Sequence, residues 1–165
     1  KYKKNYTKPT KSLKSTQNYY NETKSLTAID IKEFSFLYIL LKKPELIKEN
    51  FNLIENVKLF SSENKLLFKE IVNQTNNFEN TDFENLIIDQ GLIERIFKYA
   101  SIKHILVKNL NDNQKILEIL SELIRDLKNY ELELRITDLE SRFSKDLSEA
   151  TFNELKELKK LQKIN

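Results

Sequence analysis

From Asp112 to Leu147 the chain runs 36 residues without a Gly or a Pro. A stretch free of both helix breakers, patterned as this one is, forms a single long helix. Ile116, Leu120, Leu123, Leu127, Tyr130 and Leu134 follow alternating steps of four and three, which line apolar side chains along one face. Leu132, Ile136, Leu139, Phe143 and Leu147 begin a second register before the first ends, so the buried face is expected to rotate partway along. At about 1.5 Å per residue the rod is roughly 54 Å long, whereas a compact body of this chain length is only about 40 Å across. The rod must protrude or kink.

After Lys145-Asp146-Leu147 the chain offers Ser148 as an N-cap, with Glu149 in the first turn where the helix dipole favours a negative charge. A second helix then runs to about Lys163, with Phe152, Leu155, Leu158 and Leu161 on one broad stripe. Steps of three drift around a helix, so this stripe is wider than one helix pair consumes. Leu139 and Phe143 face it from the long helix, and these six residues are the candidate partner-binding surface of a helical hairpin.

The rest of the chain reads as helix too. A single Gly, against an average of about 7%, and only two Pro argue for an all-α protein. Asp30 can cap a helix whose Ile31, Phe34, Phe36, Leu37, Ile39, Leu40 and Leu41 crowd most of its circumference, the pattern of a buried central helix. Pro44 opens the next helix, and a third, with Leu66, Leu67, Phe68, Ile71 and Val72, runs to about Thr75. Asn73 to Asn80 reads as a loop, Thr81-Asp82-Phe83-Glu84 as a capping box, and Gly91 as the left-handed residue closing that short helix. Residues 92 to about 109 add one or two helices. The expected organisation is a linker over 1–28, a helical bundle over 29–110, and the long helix and C-terminal helical hairpin over 111–165.

Residues 1–28 hold seven Lys and one acid, Glu22, so they carry +6 while residues 29–165 carry −3 of the net +3. With few aliphatic residues, this segment is expected to be a flexible basic linker. Tyr2, Tyr6, Tyr19 and Tyr20 interleave with its Lys residues, which leaves open a single-stranded nucleic-acid tether. The folded part, at −3, has no excess of positive charge with which to bind nucleic acid.

Catalytic chemistry is hard to place. His104, the one histidine, lies among Ile102, Ile105 and Leu106 and reads as an ordinary packed or surface residue. No Cys is present, which removes disulfides and thiolate sites. Asp82 with Glu84, and Glu131 with Glu133, lack the partners a metal would need, and no phosphate-loop, dinucleotide or zincin pattern occurs. No apolar run reaches the roughly 18 residues of a membrane span and no signal peptide is visible, so a cytoplasmic, non-catalytic protein without cofactor or small-molecule substrate is expected. The absence of Met, even at position 1, suggests a piece of something longer.

The segment FSFLYILLKKPELIKENFNLIENVKLFSSENKLLFKEIV, residues 34–72, resembles the opening of the C-terminal helicase-binding domain of bacterial DNA primase. That family shows a buried helix with a Leu-Leu pair, then Pro-x-Leu, then a turn into a helix with an Ile-rich end. The counterparts here are Leu40-Leu41, Pro44-Glu45-Leu46 and Glu70-Ile71-Val72. The closing LSEATFNELKELKKLQKIN is similar to the family's terminal hairpin, so the resemblance covers about residues 30–165. It implies a bundle with a hairpin that binds the N-terminal domains of the hexameric replicative helicase and couples primer synthesis to the fork. It also implies that zinc and magnesium belong only to other parts of the parent primase, an RNA-polymerizing nucleotidyltransferase. Two other readings use the same features: a helical scaffold or dimerization module, and a nucleic-acid adaptor working through the Lys/Tyr tail. A far-UV circular dichroism spectrum of residues 29–165 should be dominated by helix; a sheet-type spectrum would sink the architecture.

Overall fold

A computed structural model describes residues 23–77 and 90–164, together with Gln17 and Asn21. In chain order the helices are α1 (Ala28–Lys42), α2 (Glu45–Glu49), α3 (Phe51–Ile54), α4 (Ser62–Asn77), α5 (Gln90–Tyr99), α6 (Lys103–Lys108), α7 (Asn113–Phe143) and α8 (Glu149–Ile164). No strand occurs among the described residues, and the all-α class expected from the sequence is the class observed. Most of the 1–28 linker and the Thr81–Glu84 capping box lie outside the described residues.

Helix α1 is the centre of the bundle. Glu33 to Leu40 are all buried, because α4, α5, α6 and α7 pack around the helix and leave it no solvent face. Phe36 meets Phe68 of α4 edge-on at 5.5 Å, and Tyr38 meets Phe97 of α5 at 5.1 Å. The helix begins earlier than its apolar pattern suggests. Thr27 is the N-cap, its hydroxyl accepting from the Asp30 N–H at 3.2 Å while the Asp30 carboxylate accepts from the Thr27 N–H at 2.7 Å. Asp30 therefore serves as the third residue of a capping box, and not as the cap itself. Leu26, just before it, already packs on the core.

Two polar side chains on α1 lock its neighbours. The Glu33 carboxylate, fully buried, accepts from the backbone N–H of Phe60, from that of Ser61 at 3.4 Å, and from the Asn64 amide at 2.6 Å. These groups lie at the N-terminus of α4, where unpaired N–H groups and the helix dipole both favour an acidic partner. Ser35 accepts from the Ser101 N–H at 3.1 Å and donates to the Ile31 carbonyl at 2.8 Å, tying the α5–α6 connection to the same helix.

Pro44 (φ −61°, ψ −27°) leads into α2 as expected. Other local expectations give way to packing. Asn73 to Asn77 continue α4 instead of forming a loop. Gly91 lies in the first turn of α5, and no Gly among the described residues has positive φ, so it does not close a preceding helix. On α4, Leu67, Phe68 and Ile71 are buried, whereas Leu66 is 67% exposed.

Helix α7 is a 31-residue rod, roughly 46 Å long. Its first half completes the bundle: Ile116, Leu120, Leu123, Ile124 and Leu127 belong to the main core. Tyr130 then stacks edge-on against Phe60 at 4.8 Å, while Lys32–Asp126 (2.8 Å) and Lys58–Glu131 (2.5 Å) bridge bundle and rod. From Leu132 onward the rod contributes to a second core, with Ile136 and Leu139 against Leu155 and Leu158 of α8. Nine residues separate Leu127 from Ile136, about two and a half turns at about 3.6 residues per turn. The two buried faces therefore lie on nearly opposite sides of the rod, the rotation that the overlapping registers imply.

Glu33→Ala would leave two backbone donors and an amide without an acceptor in the core. A loss of about 3 kcal/mol is expected, from buried unsatisfied groups and a lost helix cap, or about 10 °C in thermal midpoint. Glu33→Gln, which keeps one acceptor oxygen, should recover part of it. An unchanged midpoint for Glu33→Ala would show that the carboxylate carries no structural weight.

Candidate partner-binding hairpin

The chain reverses between Ser144 and Ser148. Helix α7 stops at Phe143, short of the expected Leu147, which sits in the turn at 80% exposure. Ser148 then caps α8 as expected: its hydroxyl accepts from the Thr151 N–H at 3.4 Å and its carbonyl from the Phe152 N–H at 3.1 Å. Helix α8 runs back antiparallel along the distal part of the rod.

The six candidate residues divide into two groups. Leu139, Leu155 and Leu158 are buried in the seam between the helices, where with Ile136 and Leu132 they hold the hairpin together. Phe152 and Leu161 are about half exposed, at 49% and 52%. Phe143 is half-buried and rests against Phe152 with ring centroids 5.7 Å apart. Leu134, assigned by its spacing to the buried stripe of the rod, is 45% exposed.

Ion pairs flank the seam, Arg135–Glu154 at 2.5 Å and Glu140–Lys159 at 2.6 Å. Glu154 and Leu161 are seven residues apart and share one side of α8, whereas Phe152, Lys156 and Lys159 share the other. The two exposed apolar residues thus mark opposite flanks. On the Phe152 flank, Phe152, Leu155, Lys156, Lys159 and Lys160 line a groove of about 390 Å³. Lys160 pairs with Glu157 at 2.7 Å, and the hydrogen bond and charge of Lys160 hold the exposed Glu157 carboxyl below its ordinary range.

Sequence reasoning from apolar spacing picked out Phe152 and Leu155 but not the lysines that rim the groove. The signal was present as the i, i+4 row Phe152, Lys156, Lys160. His104 is exposed on α6, and among the described residues no group of three or more His, Cys, Asp or Glu side chains is placed to hold a metal. No described helix is long and apolar enough to cross a membrane. Comparison with protein-family models, with curated proteins and with solved structures finds no match for this chain.

Because the seam is a small core, Leu158→Ala should cost about 2–3 kcal/mol locally and speed amide exchange in α8 while the bundle stays protected. Phe152→Ala, at a half-exposed site, should change stability by less than about 1 kcal/mol. Equal exchange in the two variants would contradict the division between seam and flank.

Proposed function

We propose that this chain is the non-catalytic helicase-binding domain of a bacterial-type DNA primase, which docks on the N-terminal domains of the hexameric replicative helicase and brings primer synthesis to the fork. The observation that carries the reading is the hairpin itself. A small core, separate from the main one and on the opposite side of a continuous rod, carries half-exposed Phe152 and Leu161 on its two flanks, with Leu147 exposed in the turn at its end. Apolar side chains offered on a projecting arm are what a protein-recognition element supplies, since interfaces draw most of their energy from a few such anchors. The order of elements is compatible with the same reading: a buried helix carrying Leu40-Leu41, then a Pro44-led helix, then a terminal hairpin. On this reading the compartment is the bacterial cytoplasm, and zinc and magnesium would serve other parts of the parent enzyme.

The test is a titration of the replicative helicase's N-terminal domain with the full chain and with a form ending at residue 147. The full chain should bind, and the shortened one should lose at least about 100-fold in affinity, near 2.7 kcal/mol, while its bundle keeps a helical spectrum. Retained binding without residues 148–165 would place the anchor in the bundle and defeat this assignment. A symmetric dimer by light scattering with no helicase binding would favour the scaffold reading.

A further inference from the structure

The groove on the Phe152 flank has a shape that selects its occupant. Phe152, Lys156 and Lys160 stand at i, i+4 and i+8 and form one ridge along α8, while Leu155 and Lys159 form the adjacent ridge. The groove is the channel between these two rows, and a channel between i±4 ridges is what the ridge of a second helix fills. Its floor is apolar, made by Leu155 and Phe152, and the side chains of Lys156, Lys159 and Lys160 complete its lining. The charges on the rim are unequally committed. Lys159 is held across the seam by Glu140, and Lys160 has only the exposed pair with Glu157 on its own helix. Lys156 is in none of the ion pairs among the described residues and feels only the charge of the adjacent, exposed Glu157. Exposed pairs of this kind are weak and can exchange. The opposite flank differs: Leu161 stands there beside Glu154, whose carboxylate is taken by Arg135.

Resting on the reading of the hairpin as the partner-binding arm, we propose that the Phe152 flank of α8 is the docking groove, and that its occupant is an amphipathic helix of the partner with an acidic rim. One apolar side chain of that helix packs over Phe152 and Leu155, and carboxylates one turn apart on it meet Lys156 and Lys160. Lys156 is the residue that sets the sign of the partner's rim, because no ion pair holds its ammonium group.

The test uses the full 165-residue chain with Phe152→Ala, Lys156→Glu and, on the opposite flank, Leu161→Ala, each checked for an unchanged helical spectrum and thermal midpoint. Three kinds of probe are titrated by fluorescence anisotropy: the helicase N-terminal domain, a pair of synthetic amphipathic helices sharing one apolar stripe and rimmed with Glu or with Lys, and a single-stranded DNA oligonucleotide. Phe152→Ala and Lys156→Glu should each weaken both the helicase domain and the Glu-rimmed peptide at least about 10-fold, and Leu161→Ala less than about 2-fold. Lys156→Glu should also gain the Lys-rimmed peptide, and higher salt should weaken the Glu-rimmed complex. Helicase binding lost with Leu161→Ala but kept with Phe152→Ala and Lys156→Glu would overturn this groove and leave the proposed function standing. Flank-dependent capture of the Glu-rimmed peptide with no helicase binding would uphold the groove and defeat the proposed function. Binding of single-stranded DNA through Lys156 with neither protein probe bound would make the flank a nucleic-acid surface, and no binding of any probe would remove the inference altogether.

Discussion

Helix α7 is shared by two cores, and most of what the molecule presents depends on its being unbroken. Its first half contributes Ile116 to Leu127 to the bundle, and its second half contributes Ile136 and Leu139 to the hairpin. A helix without Gly or Pro has a continuous hydrogen-bond ladder and no cheap hinge. The orientation of the distal face is therefore set by how the proximal face is gripped. That grip ends at Tyr130, packed on Phe60, and at Glu131, paired with Lys58, one residue before Leu132 joins the second core.

The grip in turn relies on α1. An eight-residue run buried on every side can be placed in only one way relative to its neighbours, and its two polar side chains narrow that further. Glu33 does what a helix cap ordinarily does, but from another helix, supplying the N-terminus of α4 with an acceptor. A buried carboxylate is costly unless fully hydrogen-bonded, so the contact is as much a constraint on geometry as a source of stability. Any other register of α1 against α4 would strand it.

In the hairpin the balance of forces is different. The seam is short, and the ion pairs beside it are exposed, so each contributes little to stability. Their placement on both sides of the seam instead disfavours sliding or rotation of α8 on the rod. A surface held in this way is preorganised, and binding through it loses less ordering entropy than binding through a mobile segment.

Much of this architecture was legible in the residues. The absence of Gly and Pro over the rod, the two overlapping registers, Ser148 as a cap and the all-round apolar run of α1 follow from local periodicity and capping chemistry, which need no knowledge of neighbours. The primase resemblance and the partner remain a reading of the same patterns. What periodicity could not supply was which apolar residues would be covered. Leu158 and Leu161 lie on one stripe in the sequence, yet one is in the seam and the other is half exposed, because a single partner helix covers only part of a stripe that drifts. Glu33 gave a faint sign, an acid within an apolar helix, but its role required the N-terminus of α4 to arrive beside it. The same holds for Asn73–Asn77 and Gly91, where intrinsic turn preference was overridden by helices whose packing offset it. The sequence by itself determined the all-helical class, the approximate places of the main helices and the rotation of the rod's buried face, since these depend on neighbours along the chain. Only the tertiary structure decided which face of α8 the rod covers and that Glu140 takes Lys159 across the seam, since these depend on residues brought together from separate helices.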